Sequence, residues 1–99
     1  MSDSLVIIPT YNEKENIEAI IRKVFSLTYP FELLIVDDNS PDGTGILADA
    51  LTQEFSNLHA IHRTGKLGLG TAIVAGMKFA IDNEFDYFMS IDADFSHHP

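Results

Sequence analysis

Leu5-Val6-Ile7-Ile8, followed directly by Pro9, is a continuous apolar run in which three of the four residues are β-branched. A strand with one face in water alternates apolar and polar residues, whereas a strand covered on both faces is apolar throughout. The run therefore predicts a first strand over residues 5–8 that lies centrally in a sheet, is buried on both faces and ends at Pro9.

An amphipathic helix is predicted next, over residues 13–26. Apolar side chains recur there at i, i+3, i+4 and i+7, a spacing that places them on one helix face. They are Ile17, Ile20, Ile21 and Val24. Asn12 or Thr10 is the predicted N-cap, because a side-chain oxygen at that point can accept a hydrogen bond from a free amide of the first turn.

The pattern of strand and helix repeats along the rest of the chain. Further strands are predicted over residues 31–36, 58–62 and 85–91, and further helices over residues 44–55 and 71–82. The predicted apolar face of the second helix consists of Leu47, Ala50, Leu51 and Phe55. The small residues that permit close packing of the third are Ala72, Ala75, Gly76 and Ala80. Alternating strands and helices form a parallel sheet with helices on both faces, so the predicted class is α/β.

Length, composition and charge limit the kinds of partner. The chain has 99 residues, 45% of them hydrophobic and 21% charged, which is typical of one globular domain. Its formal net charge of −9 repels phosphate backbones, so no nucleic-acid partner is expected. The chain has no cysteine, which excludes disulfides, thiolate metal sites and cysteine nucleophiles.

No membrane-spanning or export segment is predicted. The apolar runs are far shorter than the roughly 20 residues of a membrane helix, and Met1-Ser2-Asp3-Ser4 carries an acid where a signal peptide carries basic residues. The sequence stops after the loop of the fourth predicted strand. We therefore expect residues 1–99 to be an incomplete part of a larger domain, with an uncovered fourth strand through which copies of the chain can self-associate.

Acidic residues gather where three predicted strands end. The six acids are Glu13 after the first strand, Asp37, Asp38 and Asp42 after the second, and Asp92 and Asp94 after the fourth. The carboxyl ends of parallel strands share one edge of the sheet, where such folds bind ligands. Two carboxylates two residues apart in an extended chain suit one hard divalent ion, Mg²⁺ or Mn²⁺. The alternative for either pair is a turn or a helix cap.

The segment Gly65-Lys66-Leu67-Gly68-Leu69-Gly70 only partly matches a phosphate-binding loop. A Walker loop requires Ser or Thr after Gly-Lys, and a dinucleotide loop would follow the first strand and carry glycine where Ile73 stands. Two interpretations stay open. The loop either presents Arg63, Lys66 and amide groups to an anion at the third helix, or is a flexible loop with a capping glycine. Tyr11 is likewise either a stacking platform for a base or a surface tyrosine.

Four motifs in order along the whole chain resemble those of the family 2 glycosyltransferases, and within that family those of the dolichol-phosphate or polyprenol-phosphate mannosyltransferases. The motifs are Val6-Ile7-Ile8-Pro9-Thr10-Tyr11-Asn12-Glu13, Ile35-Val36-Asp37-Asp38-Asn39-Ser40-Pro41-Asp42-Gly43-Thr44, Lys66-Leu67-Gly68-Leu69-Gly70-Thr71-Ala72 and Asp92-Ala93-Asp94-Phe95-Ser96-His97-His98-Pro99. The resemblance implies a GT-A fold, Rossmann-like with a mostly parallel sheet of order 3-2-1-4, in which residues 1–99 are the nucleotide-sugar-binding portion.

The resemblance also implies roles for individual residues. Those expected to contact the nucleotide-sugar are Pro9, Tyr11, Glu13, Val36, Asp38, Lys66, Asp92, Ala93 and Asp94. Asp92 and Asp94 form a DXD motif and are the implied catalytic residues and ligands of Mg²⁺ or Mn²⁺, with Asp94 the more direct ligand. Ser96 stands where some members carry a glutamine ligand, which implies a weaker or water-mediated metal site.

The reaction implied is that of a hexosyltransferase. It would move a sugar, mannose from GDP-mannose, to a polyprenyl or dolichyl phosphate by an inverting displacement at the anomeric carbon. The motifs do not decide whether the nucleotide is GDP or UDP, or whether the sugar is mannose or glucose. Contact with a membrane is expected only through the lipid acceptor or through a part of the protein beyond Pro99, with the protein peripheral at the cytoplasmic membrane face.

Two other hypotheses are kept beside this one. The first is a non-catalytic nucleotide- or Mg²⁺-binding α/β module, such as a phospho-acceptor regulator. A regulator of that kind needs its acid pair after the first strand, where this chain has Pro9. The second is that the whole protein is an enzyme but residues 1–99 alone transfer no sugar, because the acceptor half is absent.

Overall fold

The computed structural model describes residues 4–26, 31–64 and 69–91, and in these ranges strands and helices alternate as the sequence predicts. The elements are β1 (Ser4–Thr10), α1 (Lys14–Phe25), β2 (Glu32–Asp37), α2 (Thr44–Thr52), β3 (Leu58–His62), α3 (Leu69–Asp82) and β4 (Tyr87–Ser90).

The strands form one sheet of order β3-β2-β1-β4, with every neighbouring pair parallel. In the shared register, Val6 of β1 lies between Leu33 of β2 and Met89 of β4. The predicted α/β class and the strand order implied by the resemblance are both confirmed. Strand order reverses at β1, so the carboxyl end of this strand lies at the switch point where open α/β sheets bind ligands.

Both faces of β1 are buried, as its apolar run predicts. Val6 and Ile8 belong to a core cluster formed with α1 and α2, while Leu5 and Ile7 belong to a second cluster on the α3 side. All four residues are at most 2% exposed. Helices therefore cover both faces of the sheet, and the continuous apolar pattern of its central strands follows from that arrangement.

The prediction that β1 ends at Pro9 is wrong, because the strand continues to Thr10. Ile7 accepts a hydrogen bond from the Ile91 amide on the β4 side, and Thr10 accepts one from the Asp38 amide on the β2 side, at 3.0 and 3.1 Å. The backbone N–H and C=O groups of successive residues in a strand point alternately to the two neighbouring strands. Pro9 is an odd-numbered residue like Ile7, so its nitrogen points towards β4 and away from β2. Its missing N–H consequently removes no hydrogen bond between β1 and β2.

The start of α1 also differs from the prediction, whereas its buried face is confirmed as Ile17, Ile20, Ile21 and Val24. The N-cap is Glu13, which makes no side-chain capping bond, so both Asn12 and Thr10 were wrong. Asn12 has a left-handed backbone with φ of 57°, and the Thr10 hydroxyl donates to Asp37 at 2.6 Å. Neither side chain is therefore placed to cap the helix.

Smaller corrections concern the other elements. Helix α2 ends at Thr52 rather than at residue 55, and its buried residues are Thr44, Gly45, Ala48 and Leu51. Ala50 is exposed, because the buried residues Gly45, Ala48 and Leu51 lie three positions apart on the opposite face of the helix. Phe55 packs on Phe25 from the turn beyond the helix, with ring centroids 4.9 Å apart. Strand β2 is displaced by one residue, and α3 begins two residues earlier than predicted.

Strand β4 occupies one end of the sheet and spans Tyr87–Ser90 instead of residues 85–91. Tyr87, Phe88 and Met89 are 66%, 43% and 53% exposed, so the apolar edge expected from the sequence is uncovered in the described part of the chain. Self-association through this strand stays a prediction. Among the helices of the described ranges, none has the length and apolar character needed to cross a membrane.

Candidate functional site

The carboxyl ends of β1 and β2 lie side by side and bring several predicted site residues together. Pro9 pairs with Val36 and Thr10 with Asp37 in the parallel register. The loops that follow carry Tyr11 and Glu13 on one side and Asp38 on the other, and the Asp38 amide donates to the Thr10 carbonyl at 3.1 Å. These loops form the edge of the sheet at which the sequence predicts a ligand site.

Asp37 is buried and fully engaged inside the protein, with 2% of its surface exposed. Its Oδ1 accepts hydrogen bonds from the hydroxyls of Thr10 and Ser40, both at 2.6 Å, and its Oδ2 accepts one from the Ser40 amide at 2.9 Å. Hydrogen bonds of this kind offset the free-energy penalty of burying a carboxylate. Asp37 thus ties the loop after β2 to the end of β1.

Asp38 points to the other face of the sheet and forms an ion pair with Arg63 at the end of β3. Arg63 donates from Nε to Oδ1 at 2.6 Å and from Nη2 to Oδ2 at 3.0 Å, a bidentate arrangement in which the two side chains are 11% and 7% exposed. These hydrogen bonds to Asp38 raise the pKa of Arg63 above its usual value, against the opposing effect of burial. Arg63 also donates to the Thr71 hydroxyl of α3 at 3.0 Å.

This ion pair bears on the part of the anion-site interpretation that concerns Arg63, whereas Lys66 of the same loop lies outside the described residues. The guanidinium is directed to Asp38 and Thr71, so it joins β2, β3 and α3 instead of being presented on a loop to an anion. Sequence reasoning did not pair Asp38 with Arg63. The available signal was that each directly follows a strand of the same parallel sheet.

The first turn of α1 is capped by side chains of the loop after β2. The amides of three consecutive residues each donate to a different side chain: Asn12 to Ser40 Oγ at 2.9 Å, Glu13 to Thr44 Oγ1 at 2.9 Å and Lys14 to Asp42 Oδ2 at 3.2 Å. Asp42 Oδ1 also accepts from the amide and hydroxyl of Thr44. One acidic side chain therefore serves the beginnings of both α1 and α2.

Replacing Asp42 by Asn should remove a contribution to stability that depends on pH. Burial raises the pKa of this carboxyl, but hydrogen bonds from Thr44 and Lys14 outweigh it and lower the pKa below 3.8. A carboxyl whose pKa is lower in the folded state than in the unfolded state stabilises the fold at pH values above the unfolded-state pKa. This stabilisation is lost as the pH falls through the folded-state pKa. Thermal melts from pH 7 to pH 3 measure this effect. The difference in melting temperature between the unaltered protein and Asp42→Asn should become smaller below about pH 4.

The matched control is Asp86→Asn, at an exposed acid in the turn before β4. Its melting temperature should run parallel to that of the unaltered protein over the same pH range. A gap for Asp42→Asn that stays constant down to pH 3 would contradict the lowered pKa.

Other predicted contact residues differ in how they meet this edge. Pro9, Tyr11 and Glu13 are half-buried, and Asn16 Nδ2 lies 3.5 Å from Glu13 Oε1. Val36 is fully buried in the core cluster on the α3 side. The side chain of Val36 is therefore not exposed at this edge among the described residues, whereas Tyr11 and Glu13 are partly exposed in the loop after β1.

The remaining predicted site residues, Lys66, Asp92, Ala93 and Asp94, lie outside the described residues. The last described residue before the DXD motif is Ile91, whose amide donates to the Ile7 carbonyl at 3.0 Å. Within residues 4–26, 31–64 and 69–91 there is no group of three or more His, Asp or Glu side chains that could hold a metal ion.

A separate cleft of about 360 Å³, which sequence reasoning missed, lies beside α2. It is lined by Asp37, Asn39, Ser40, Gly45, Ile46, Asp49 and His62. His62 Nε2 hydrogen-bonds both carboxylate oxygens of Asp49, at 2.8 and 2.9 Å. A Cβ on Gly45 would lie 2.9 Å from the His62 ring and 3.0 Å from Asp37 Oδ2, so this position accepts only glycine without a shift of its neighbours.

The sheet order β3-β2-β1-β4 is the one that the resemblance to a glycosyltransferase of the GT-A fold implies. The chain belongs to glycosyl transferase family 2, whose family model matches residues 5–99. The resemblance stated from the four motifs is thereby confirmed, and the GT-A fold class with it.

Two relatives indicate the branch of the family. The chain is 45% identical over 97 residues to the polyprenol monophosphomannose synthase of Mycolicibacterium smegmatis, which covers 97% of this chain and 37% of the relative. It is 42% identical over 95 residues to the undecaprenyl-phosphate mannosyltransferase of Micrococcus luteus, which covers 96% of this chain and 39% of the relative. The chain thus spans less than two fifths of the length of these relatives.

Solved structures agree with the fold. The mannosyltransferase PcManGT from Pyrobaculum calidifontis, in complex with GDP-Man and Mn²⁺, superposes on this chain with a TM-score of 0.73 at 27% sequence identity. The superposed region covers 78% of this chain and 24% of the mannosyltransferase. Residues 1–349 of TarS from S. aureus superpose with a TM-score of 0.74 at 25% sequence identity. The superposed region covers 95% of this chain and 28% of the TarS chain.

Proposed function

We propose that the protein carrying this chain is a hexosyltransferase that transfers mannose from GDP-mannose to a polyprenyl phosphate. The observation that carries the proposal is the identity of 45% and 42% to two relatives named for mannose transfer to polyprenol phosphates. The Pyrobaculum mannosyltransferase, with GDP-Man and Mn²⁺ in its structure, supports the choice of donor. Membership of this family argues against a phospho-acceptor regulator.

In this proposal the described edge of the sheet binds the nucleoside of the donor. Tyr11 offers an aromatic face on which a base can stack, which is a favourable contact for any base. Asp38 offers carboxylate oxygens to ribose hydroxyls, the role that an acid after the second strand has in dinucleotide folds. Because Arg63 holds both Asp38 oxygens at 2.6 and 3.0 Å, the carboxylate is fixed in position and its charge is balanced.

The diphosphate of the donor is proposed to lie at Asp92, Ala93 and Asp94, with Lys66 nearby. Two carboxylates separated by one residue provide the oxygen ligands that Mg²⁺ and Mn²⁺ prefer, so the donor set fits such an ion. Bound there, the ion would offset the negative charge that develops on the departing diphosphate. The chain has a net charge of −9, so the anionic donor needs a cation of this kind for attraction to outweigh repulsion.

The acceptor chemistry makes a strong general base unnecessary. A phosphate monoester has a second pKa of about 6 and is largely dianionic at pH 7, so it attacks the anomeric carbon without losing a proton. One direct displacement inverts that carbon. In this proposal residues 1–99 hold the donor and transfer no sugar alone, and the acceptor is met at the cytoplasmic membrane face through its lipid.

Calorimetric titration with GDP-mannose, GDP and UDP-glucose, each with and without Mn²⁺, tests the proposal. We expect binding of GDP-mannose and GDP that depends on Mn²⁺, and binding of UDP-glucose that is at least about tenfold weaker. Asp94→Ala should abolish the dependence on Mn²⁺. Asp38→Asn should weaken nucleotide binding about tenfold with or without the ion, because it removes the charge of the ribose acceptor and replaces one of its two oxygens by an amide donor.

Asp86→Ala, at an exposed acid before β4, is the matched control and should bind as the unaltered protein does. Equal affinity for GDP-mannose and UDP-glucose would contradict the assignment of the donor. Binding that does not respond to Mn²⁺ would contradict the assignment of a metal to Asp92 and Asp94.

A further inference from the structure

The loop that carries Tyr11 and Glu13 does not hold its own conformation. Glu13, at the N-cap of α1, makes no side-chain capping bond, and Asn12 has a left-handed backbone with φ of 57°, which asparagine adopts more readily than most residues but at a cost relative to the right-handed region. The first amides of a helix have no partners within the helix and must find them elsewhere. At this helix they find them in a segment about 30 positions further along the chain.

Each of the three accepting side chains is itself held in place. The Ser40 hydroxyl donates to buried Asp37 at 2.6 Å and so presents a lone pair to the Asn12 amide. The Thr44 hydroxyl, in a residue that is fully buried, donates to Asp42 Oδ1 and presents a lone pair to the Glu13 amide. Asp42 Oδ2 accepts directly from Lys14. Each amide is thus bound to a side chain that is already fixed from behind.

We infer that Ser40, Asp42 and Thr44 are positioning residues for donor binding, which act by fixing the backbone from Asn12 to Lys14 and thereby the side chains of Tyr11 and Glu13. The inference rests on the proposed function, because it assumes that Tyr11 and Glu13 contact the nucleotide. It adds a role for Ser40 and Asp42 in the loop after β2 and for Thr44 at the start of α2. Loss of one such bond loosens the site before the donor arrives, so binding then has to supply the ordering.

The test uses Thr44→Val, which keeps the shape of the side chain and removes its hydroxyl, with Thr44→Ser as the conservative variant that retains it. Thr52→Val is the matched control, because the Thr52 hydroxyl donates to the Asp49 carbonyl at the far end of the same helix. We expect Thr44→Val to raise the Kd of GDP-mannose with Mn²⁺ about tenfold, and Thr44→Ser to restore it to within about twofold. Thr52→Val should leave the Kd unchanged.

Two further readouts separate positioning from general stability. Amide hydrogen exchange of Glu13 should become about tenfold faster in Thr44→Val and stay slow in Thr44→Ser. In a transfer assay with the whole protein that carries this chain, the KM for GDP-mannose should rise while the KM for the polyprenyl phosphate stays constant. Ser40→Ala, which removes the acceptor of the Asn12 amide, should show the same pattern and tests the inference if Thr44→Val does not fold.

The outcomes distinguish this inference from the proposed function. Faster exchange at Glu13 with an unchanged Kd would overturn the positioning role while the donor assignment stands. A rise in Kd that Thr44→Ser fails to restore would also overturn it. No binding of GDP-mannose by the unaltered protein would overturn the proposed function, and the positioning role with it.

Discussion

Arg63→Met is expected to lower the free energy of unfolding by about 3 kcal/mol, because it removes the bidentate guanidinium that balances the charge of the buried Asp38 carboxylate. The ion pair is bidentate, at 2.6 and 3.0 Å, and both side chains are almost completely shielded from water. Removing one member of a buried ion pair lowers the free energy of unfolding by several kcal/mol, because the other charge stays buried. Replacing both members by apolar residues changes the free energy of unfolding far less. Urea unfolding followed by circular dichroism measures the change.

Arg22→Met is the matched control for this substitution. Arg22 donates to Glu18 and Glu54 at 2.8 Å, but these side chains are about half exposed, so water replaces most of what is lost. The double variant Asp38→Asn/Arg63→Met should lose less free energy of unfolding than Arg63→Met alone, because it leaves no charge buried at this ion pair. Equal losses for Arg63→Met and Arg22→Met would show that the Asp38 carboxylate is stable without its partner.

Gly76→Ala is expected to lower the free energy of unfolding by about 2 kcal/mol, against the usual gain of roughly 1 kcal/mol for Gly to Ala inside a helix. A Cβ at this position of α3 would lie 2.5 Å from Cγ2, 2.9 Å from Cδ1 and 3.0 Å from Cγ1 of Ile7. Ile7 is fully buried in the central strand and β-branched, so it cannot turn aside without disturbing β1. The helix or the sheet would have to move.

Gly70→Ala on the same helix separates the two effects. Among the described residues, and apart from its chain neighbours and the backbone of its own helix, no atom lies within 4 Å of a Cβ built there, so the helix-forming preference of alanine should dominate, with an expected gain of about 0.5–1 kcal/mol. The two variants should therefore shift the melting temperature in opposite directions. A melting temperature for Gly76→Ala at or above that of the unaltered protein would show that α3 is free to move away from the sheet.

The sequence was most informative where local periodicity and burial coincide. The apolar run at the start of β1 and the spacing of Ile17, Ile20, Ile21 and Val24 in α1 predicted the buried faces, and both were confirmed. Ala50 was placed on the wrong face of α2, because an alanine fits either face of a helix and periodicity alone does not locate it. The packing of Gly45 and Ala48 decided the face instead.

The meeting of the strand ends at one edge of the sheet was predictable, whereas the side-chain contacts across that edge were less so. The rule that parallel strands end at one edge correctly brought the loops after β1 and β2 together. Which side chains would bind across that edge could not be read from either loop, because Ser40, Asp42 and Thr44 cap a helix that begins about 30 positions earlier. The pairing of Asp38 with Arg63 joins two strand ends in the same way. Lys66, Asp92, Ala93 and Asp94 stay predictions, since they lie outside the described residues.

The position of β1 between β2 and β4 sets the order in which the sheet assembles during synthesis. Leu5 pairs with Glu32, but Ser4 pairs with Tyr87, about 80 positions later in the chain. At roughly 5–20 residues per second, the ribosome needs on the order of 4 to 16 s to deliver β4 after β1. Until then one edge of the central strand is open, and pairing across so long a loop is slow. Nascent chains are therefore most exposed to mispairing with one another in this interval, and a chaperone that shields β1 would act there.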